Sequence, residues 1–191
     1  MMLPPDLKVT DEVLLRGALL FFVLDLLLVP LVTRLARPAT FLKFKRALPA
    51  ATLVYWWLLW TWVLSWGWDA VYQYLFPTWS RAWLPLLQGI LFSALSFLSW
   101  WLAVRLSRNP APLYCLLGGL WGMTSHVWAV SMGVVEKPPL LQGASPAAAV
   151  FIAIFEFIFY FSVVLLATFS LWHGWGFAVR RLHGRATLPS G

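Results

Sequence analysis

Apolar residues run along the chain in five long segments, separated by short stretches that contain polar residues or proline. The segments cover about residues 12–33, 48–75, 84–106, 112–135 and 147–172. A helix needs about 20 apolar residues to cross the hydrocarbon core of a bilayer, and each segment is long enough. The pattern therefore predicts an all-α protein, a bundle of five transmembrane helices. Because few residues remain outside the segments, we expect one integral membrane domain over residues 1-191.

Local signals mark the ends of the first helix. Thr10 is a good N-cap residue, and the acidic Asp11 and Glu12 follow it in the first turn, where they favour a helix N-terminus. Pro30 is expected to kink the last turn. The apolar stretch is too long for a cleaved signal peptide, and the basic residues after it resemble a stop-transfer sequence.

The basic residues are distributed asymmetrically. Of the 14 Lys and Arg residues, most follow the first, third and fifth segments, and only a few lie at the alternate ends. Excess Lys and Arg mark cytoplasmic loops, so we predict an N-terminus outside and a C-terminus in the cytoplasm of a multi-pass protein, in the cell membrane if the source is bacterial. The net charge of +7 then reflects topology and contacts with membrane lipids, and argues against nucleic acid. The basic residues that follow the first, third and fifth segments are Arg34, Arg37, Lys43, Lys45, Arg46, Arg105, Arg108, Arg180, Arg181 and Arg185. Those at the alternate ends are Lys8, Arg16, Arg81 and Lys137.

Three acidic residues lie inside the apolar segments: Asp25, Asp69 and Glu156. An ionisable group at bilayer depth costs roughly 2.5 kcal/mol or more, so it normally faces protein, water or a substrate. We therefore predict that Glu156 and Asp69 are catalytic acids. Asp25 is predicted to contact substrate, or else to pair helices within the bundle.

Aromatic and polar residues accompany these acids at helical spacing. Trp62, Trp66 and Asp69 share one face of the second segment, and aromatic faces can stabilise a cation. We predict a substrate-binding lining of Trp62, Trp66, Tyr72, Gln88 and Tyr160. His126, on a glycine-rich face of the fourth segment with Gly119 and Gly122, is predicted to tune or relay protons. The structural alternatives are a packed His126 and a Glu156 hydrogen-bonded to Gln88 or to the serines around Ser96.

No sequence motif indicates a metal or cofactor. The chain has neither HxxxH nor Glu-x-x-His, and its single Cys115 cannot form an internal disulfide. Haem ligation by His126 and His173 is disfavoured because the two lie at different depths. We therefore expect no metal and no cofactor, and a redox-neutral reaction.

The layout resembles the EXPERA family of emopamil-binding proteins, the sterol isomerases, and their relatives. The resemblance lies in Asp69-Ala-Val-Tyr-Gln-Tyr, in Ala103-Val-Arg-Leu-Ser-Arg-Asn-Pro, in Glu136 and in the aromatic residues around Glu156. It implies a five-helix fold with a cavity open to lipid, in which acids and a tryptophan handle a cationic sterol intermediate. This chain departs from the isomerases in having Ser65 for a histidine, Gln88 for a glutamate, Glu156 for an asparagine and Phe159 for a tryptophan.

These observations lead to two hypotheses. In the first, the protein is a membrane enzyme that acts on an isoprenoid or sterol-like substrate from the bilayer. Glu156 protonates an alkene or polarises a ring oxygen, Asp69 is the counter-ion or proton acceptor, and the product forms by double-bond isomerisation or cyclisation. In the second, the protein is a non-catalytic subunit of a larger membrane complex that binds lipid or pigment. Partner chains would then be a second copy, as a homodimer, or other subunits.

Overall fold

The computed structural model describes residues 10–65, 83–131 and 145–186, with side chains described except at 60–65, 83–85, 88, 125–131, 146 and 175–186. These parts of the chain are almost entirely helical, and five of their helices have 19 residues or more. The helices are α1 (Asp11–Leu35), α2 (Pro38–Phe41), a 3₁₀ helix (Leu42–Lys45), α3 (Ala47–Ser65), α4 (Trp83–Leu106), α5 (Pro110–Ser131) and α6 (Pro146–Ala186).

Three of these helices are long and apolar enough to cross a membrane by length and composition: Asp11–Leu35, Gly89–Leu106 within α4, and Ala147–Gly174 within α6. A shorter apolar stretch, Ala47–Leu59, lies in α3. The all-α class is therefore confirmed for the described residues. The number of five spans and the orientation of the termini stay predictions.

The five long helices begin within two residues of the predicted segments, and α1 and α4 also end within two residues of them. The predicted ends of the second and fourth segments lie outside the described residues. The Thr10 side chain accepts a hydrogen bond from the Val13 N–H at 3.5 Å, which confirms the predicted cap. The fifth segment, predicted as a span to about residue 172, agrees with the apolar stretch Ala147–Gly174, and α6 itself continues beyond that stretch to Ala186.

Helices α1 and α6 lie side by side and run in the same direction. At their starts, the Asp11 carboxylate accepts a hydrogen bond of 2.5 Å from the Ser145 N–H. Further along, a Cβ atom on Gly17 would lie 2.9 Å from the Ile152 side chain. The Phe22 and Phe155 rings follow, with centroids 5.3 Å apart. The residue numbers in both helices rise together, so the two helices are parallel.

Helices α5 and α6 pack closely through glycine. A Cβ atom on Gly118 would lie 2.3 Å from the Phe161 ring, and one on Gly122 would lie 2.0 Å from the Phe157 ring. Such a separation is possible only without a side chain, as is usual where helices approach closely in lipid. The small-residue face predicted for the fourth segment is therefore confirmed at Gly119 and Gly122. This face packs against α6 of the same chain.

The serines of α4 make hydrogen bonds to neighbouring helices. Ser93 donates to the Pro49 carbonyl at 2.8 Å in α3. Ser96 shares a 2.7 Å bond with the Tyr114 hydroxyl in α5. The Ser99 hydroxyl accepts from the Trp121 indole N–H at 2.9 Å. Since these bonds satisfy polar groups that lipid cannot, the serines hold α4 against α3 and α5.

Candidate functional site

Glu156 and Tyr160 form a hydrogen-bonded pair on one face of α6. They are four residues apart, so helical geometry places one above the other. The Tyr160 hydroxyl donates to the Glu156 Oε1 atom over 2.5 Å, a short bond, and both side chains are partly buried. The phenol therefore holds the Glu156 carboxyl in one orientation.

Aromatic rings from two helices surround this pair. The Tyr160 ring centroid lies 5.7 Å from that of Trp56, 6.2 Å from Tyr55 and 5.6 Å from Phe157. Trp56 is buried and stacks on Phe92 of α4 at 4.5 Å. We call Tyr55, Trp56, Phe157 and Tyr160, together with Glu156, the acid–aromatic cluster. It joins α3 to α6 at the centre of the described bundle.

Tyr55, Trp56 and Phe157 are the members of this cluster that the sequence did not predict. Tyr55 is a second phenol close enough to Glu156 to interact with it electrostatically. The sequence does contain a signal, since Tyr55 is a polar group inside an apolar segment and is one of only five tyrosines. Trp62 and Trp66, which the spacing places on the face of Asp69, lie further along the same segment.

Asp25 lies apart from the cluster, on the buried side of α1. Its side chain is only 7% exposed, and neither carboxylate oxygen has a hydrogen-bond partner among the described residues. It lies within electrostatic range of Cys115 in α5, and Cys115 accepts a hydrogen bond of 3.3 Å from the Ser162 hydroxyl in α6. Asp25 therefore faces the junction of three helices, and its predicted roles, substrate contact or helix pairing, stay predictions.

The other predicted site residues have no described side chains. Trp62, Gln88 and His126 lie on the backbones of α3, α4 and α5 respectively. Trp66, Asp69 and Tyr72 fall outside the described residues, as does Glu136. The catalytic role predicted for Asp69 therefore stays a prediction. In the described parts of the chain, no three His, Cys, Asp or Glu side chains come together as metal ligands would.

The alternative that Glu156 bonds to Gln88 or to the serines around Ser96 stays a prediction, because the Gln88 side chain is not described. The hydroxyl of Ser96 is bonded to Tyr114, whereas Glu156 bonds to Tyr160 on its own helix. The acid–aromatic cluster can therefore present an oriented carboxyl group beside π-faces, the arrangement that proton transfer to an apolar substrate requires.

No known protein family, curated protein or solved structure matches this chain. The resemblance to the EXPERA family is thus neither supported nor contradicted by these comparisons.

Proposed function

We propose that the protein is a multi-pass membrane enzyme that acts on an isoprenoid or sterol-like substrate by acid-initiated carbocation chemistry. The observation that supports this most is the Glu156 carboxyl, oriented by the hydroxyl of Tyr160, whose ring lies beside the Tyr55 and Trp56 rings. The mechanism uses this carboxyl group in its protonated form. A neutral acid is the form that can donate a proton.

The chemistry follows from these groups. The Glu156 O–H proton adds to one carbon of a double bond, and the π electrons form the new C–H bond. The adjacent carbon becomes a cation, which the electron-rich faces of Trp56 and Tyr55 stabilise by about 0.5–2 kcal/mol each. Loss of a different proton to a carboxylate yields the isomerised alkene. Attack by a second double bond instead closes a ring and forms a new cation, which becomes the cyclic alkene when it loses a proton to a carboxylate.

The role of Tyr160 is positional. Its hydroxyl fixes the Glu156 carboxyl on the same helix, so the acid needs no reorientation when the substrate arrives. The sequence-level assignments complete the proposal: Asp69 as counter-ion, His126 as proton relay, and Trp62 and Trp66 as further lining. The EXPERA resemblance is in line with this chemistry, and lipid around the bundle would deliver the substrate laterally.

The first experiment identifies the substrate. Mass spectrometry with a visible spectrum is run on the organic extract of the purified protein. A near-stoichiometric isoprenoid or sterol supports the enzyme and provides the compound for turnover assays. A pigment, or bulk phospholipid with co-purifying chains, would instead support the second proposal, a non-catalytic subunit of a larger complex.

The second experiment tests the acid. Glu156→Gln should lower turnover of that compound by about 10²–10⁴-fold, the usual contribution of a general acid. Glu12→Gln is the matched control, because Glu12 is exposed and pairs only with Arg16 at the far end of α1 among the described residues. Full turnover by both Glu156→Gln and Asp69→Asn would contradict the mechanism.

A third experiment separates positioning from packing. Tyr160→Phe keeps the ring and removes the hydroxyl, so it should reduce kcat while leaving the protein folded. Tyr114→Phe removes a buried phenol hydroxyl that bonds to Ser96 instead. Equal loss of activity in both variants would mean that Tyr160 acts only through general stability.

A further inference from the structure

Seven exposed basic side chains lie at the end of the bundle where α1 ends and α5 begins. They come from three separate stretches of sequence: the end of α1 and the turn after it, the 3₁₀ helix and the residue after it, and the end of α4. We call this surface the basic end; its members are Arg34, Arg37, Lys43, Lys45, Arg46, Arg105 and Arg108.

Buried aromatic contacts bring these stretches together. Phe41 and Phe44 of the connecting segment are fully buried. The Trp100 indole N–H in α4 donates to the Phe41 carbonyl at 2.9 Å, and the Phe41 ring meets the Tyr114 ring of α5 edge-on at 5.8 Å. The connection between α1 and α3 is therefore anchored against α4 and α5. The lysines of this connection are therefore exposed on a segment whose backbone is held in place.

Among the described residues, no carboxylate lies at this end to neutralise the charge. Asp11 and Glu12 are at the opposite end of α1, and Glu12 pairs there with Arg16. Asp25 and Glu156 lie within their helices. None of the seven basic residues forms an ion pair within the described chain. A surface of this kind attracts anions.

Apolar side chains are exposed between the charges. Leu42 is 52% exposed and Leu106 is 70% exposed. The Arg105 guanidinium lies over the Trp101 ring, 4.1 Å from its centroid. Leucine, tryptophan and arginine side by side are typical of a membrane interface, where the apolar part contacts acyl chains and the charge reaches the phosphates.

The predicted topology places these basic residues on one side of the membrane. The fold adds their arrangement: the connection after α1 lies against the end of α4, exposed leucines stand among the charges, and no carboxylate of the described residues is at this end.

We propose that the basic end binds the headgroup of an anionic phospholipid. Guanidinium and ammonium groups donate hydrogen bonds to the phosphate, and Leu42 and Leu106 contact its acyl chains. This interaction is independent of the acid–aromatic cluster. It holds the connection between α1 and α3 at the bilayer surface.

Lipid binding to the purified full-length protein in neutral detergent tests the proposal. Dioleoyl-phosphatidylglycerol should bind more tightly than dioleoyl-phosphatidylcholine, and the difference should shrink as salt is added. Each basic residue near the surface contributes about a fivefold change in affinity, so Lys43→Gln/Lys45→Gln should weaken phosphatidylglycerol binding about 30-fold. Arg105→Gln/Arg108→Gln, from a different helix, should weaken it similarly.

The control removes the same number of charges elsewhere. Lys8→Gln/Arg16→Gln lowers the net charge by two without touching the basic end, so it should leave binding nearly unchanged. Equal binding of the two lipids by the native protein would overturn the proposal. So would equal losses in the control, which would mean that only net charge matters. Full displacement of the lipid by millimolar inorganic phosphate would assign the surface to a free anion instead.

Discussion

Gly122→Ala tests how closely α5 and α6 approach beside the acid–aromatic cluster. The added Cβ atom would lie 2.0 Å from Cγ and 2.4 Å from both Cβ and Cδ2 of Phe157. Ordinary contact begins at 3.4 Å, so the ring must move by about 1.4 Å. It has little room, because its other side meets Phe92 and Trp56 with centroids 5.3 and 6.4 Å away. Overpacking of this kind costs about 1–3 kcal/mol.

Gly174→Ala is the matched control for this change. Gly174 is also inside a helix, but a Cβ atom there would meet nothing within 4 Å. The substitution should therefore raise stability by up to about 1 kcal/mol, the helix-propensity gain of alanine over glycine. Both variants gain the same helix propensity, so the difference between their free energies of unfolding measures the clash with Phe157. We expect Gly122→Ala to be less stable than Gly174→Ala by about 1–3 kcal/mol.

The assay is reversible unfolding of the purified protein in mixed micelles of increasing SDS content, followed by tryptophan fluorescence. Adding Phe157→Leu to Gly122→Ala should recover part of the loss, because the smaller side chain makes room for the methyl group. Gly122→Ala should also reduce turnover, since Phe157 contacts Tyr160 in the cluster. Equal stabilities of Gly122→Ala and Gly174→Ala would refute the close approach of the two helices.

Three further predictions concern buried polar groups and use the same unfolding assay. Asp25→Leu should stabilise the protein by about 1–3 kcal/mol, because it removes a buried carboxyl group that has no partner among the described residues. Asp25→Asn should stabilise it much less. A large loss of stability in Asp25→Leu would mean that the carboxyl group has a partner. Ser96→Ala should destabilise the protein by about 1–3 kcal/mol, because it leaves the Tyr114 hydroxyl unpaired. Adding Tyr114→Phe should restore most of the lost stability. If the losses of the two single variants add up instead, the hydrogen bond between Ser96 and Tyr114 is disproved. Trp100→Phe should lower the free energy of unfolding by about 0.5–1.5 kcal/mol, because the hydrogen bond to the Phe41 carbonyl is lost. It should also weaken phosphatidylglycerol binding. Unchanged lipid binding would mean that the basic end does not depend on this hydrogen bond.

Much of the fold was predictable because lipid imposes strong local constraints. A spanning segment must be about 20 residues long and apolar, so the helices can be located from sequence alone to within a few residues in the described chain. Thr10 was recognisable as a cap because its side chain satisfies a nearby backbone N–H. The continuation of α6 past Gly174 was not, because a glycine weakens a helix without necessarily ending it.

The candidate site was predictable only in part. Glu156 and Tyr160 stand one helical turn apart, so their pairing follows from the spacing along α6. Tyr55 and Trp56 come from α3, about a hundred positions away in the sequence, and no periodicity within one helix reveals such a contact. The position of Asp25 within an apolar segment was evident from the sequence. That its carboxyl group has no hydrogen-bond partner among the described residues was not.

The sequence by itself determined which residues are helical, which ones are apolar and where the charges lie along the chain, because these depend on composition and on spacing within one segment. The tertiary structure decided which helix faces meet. Gly122 admits the Phe157 ring, Trp56 reaches Tyr160, and the Trp100 indole N–H bonds to the Phe41 carbonyl at the basic end. These contacts depend on the shapes of side chains far apart in sequence and on one close-packed solution among many apolar surfaces that are chemically alike.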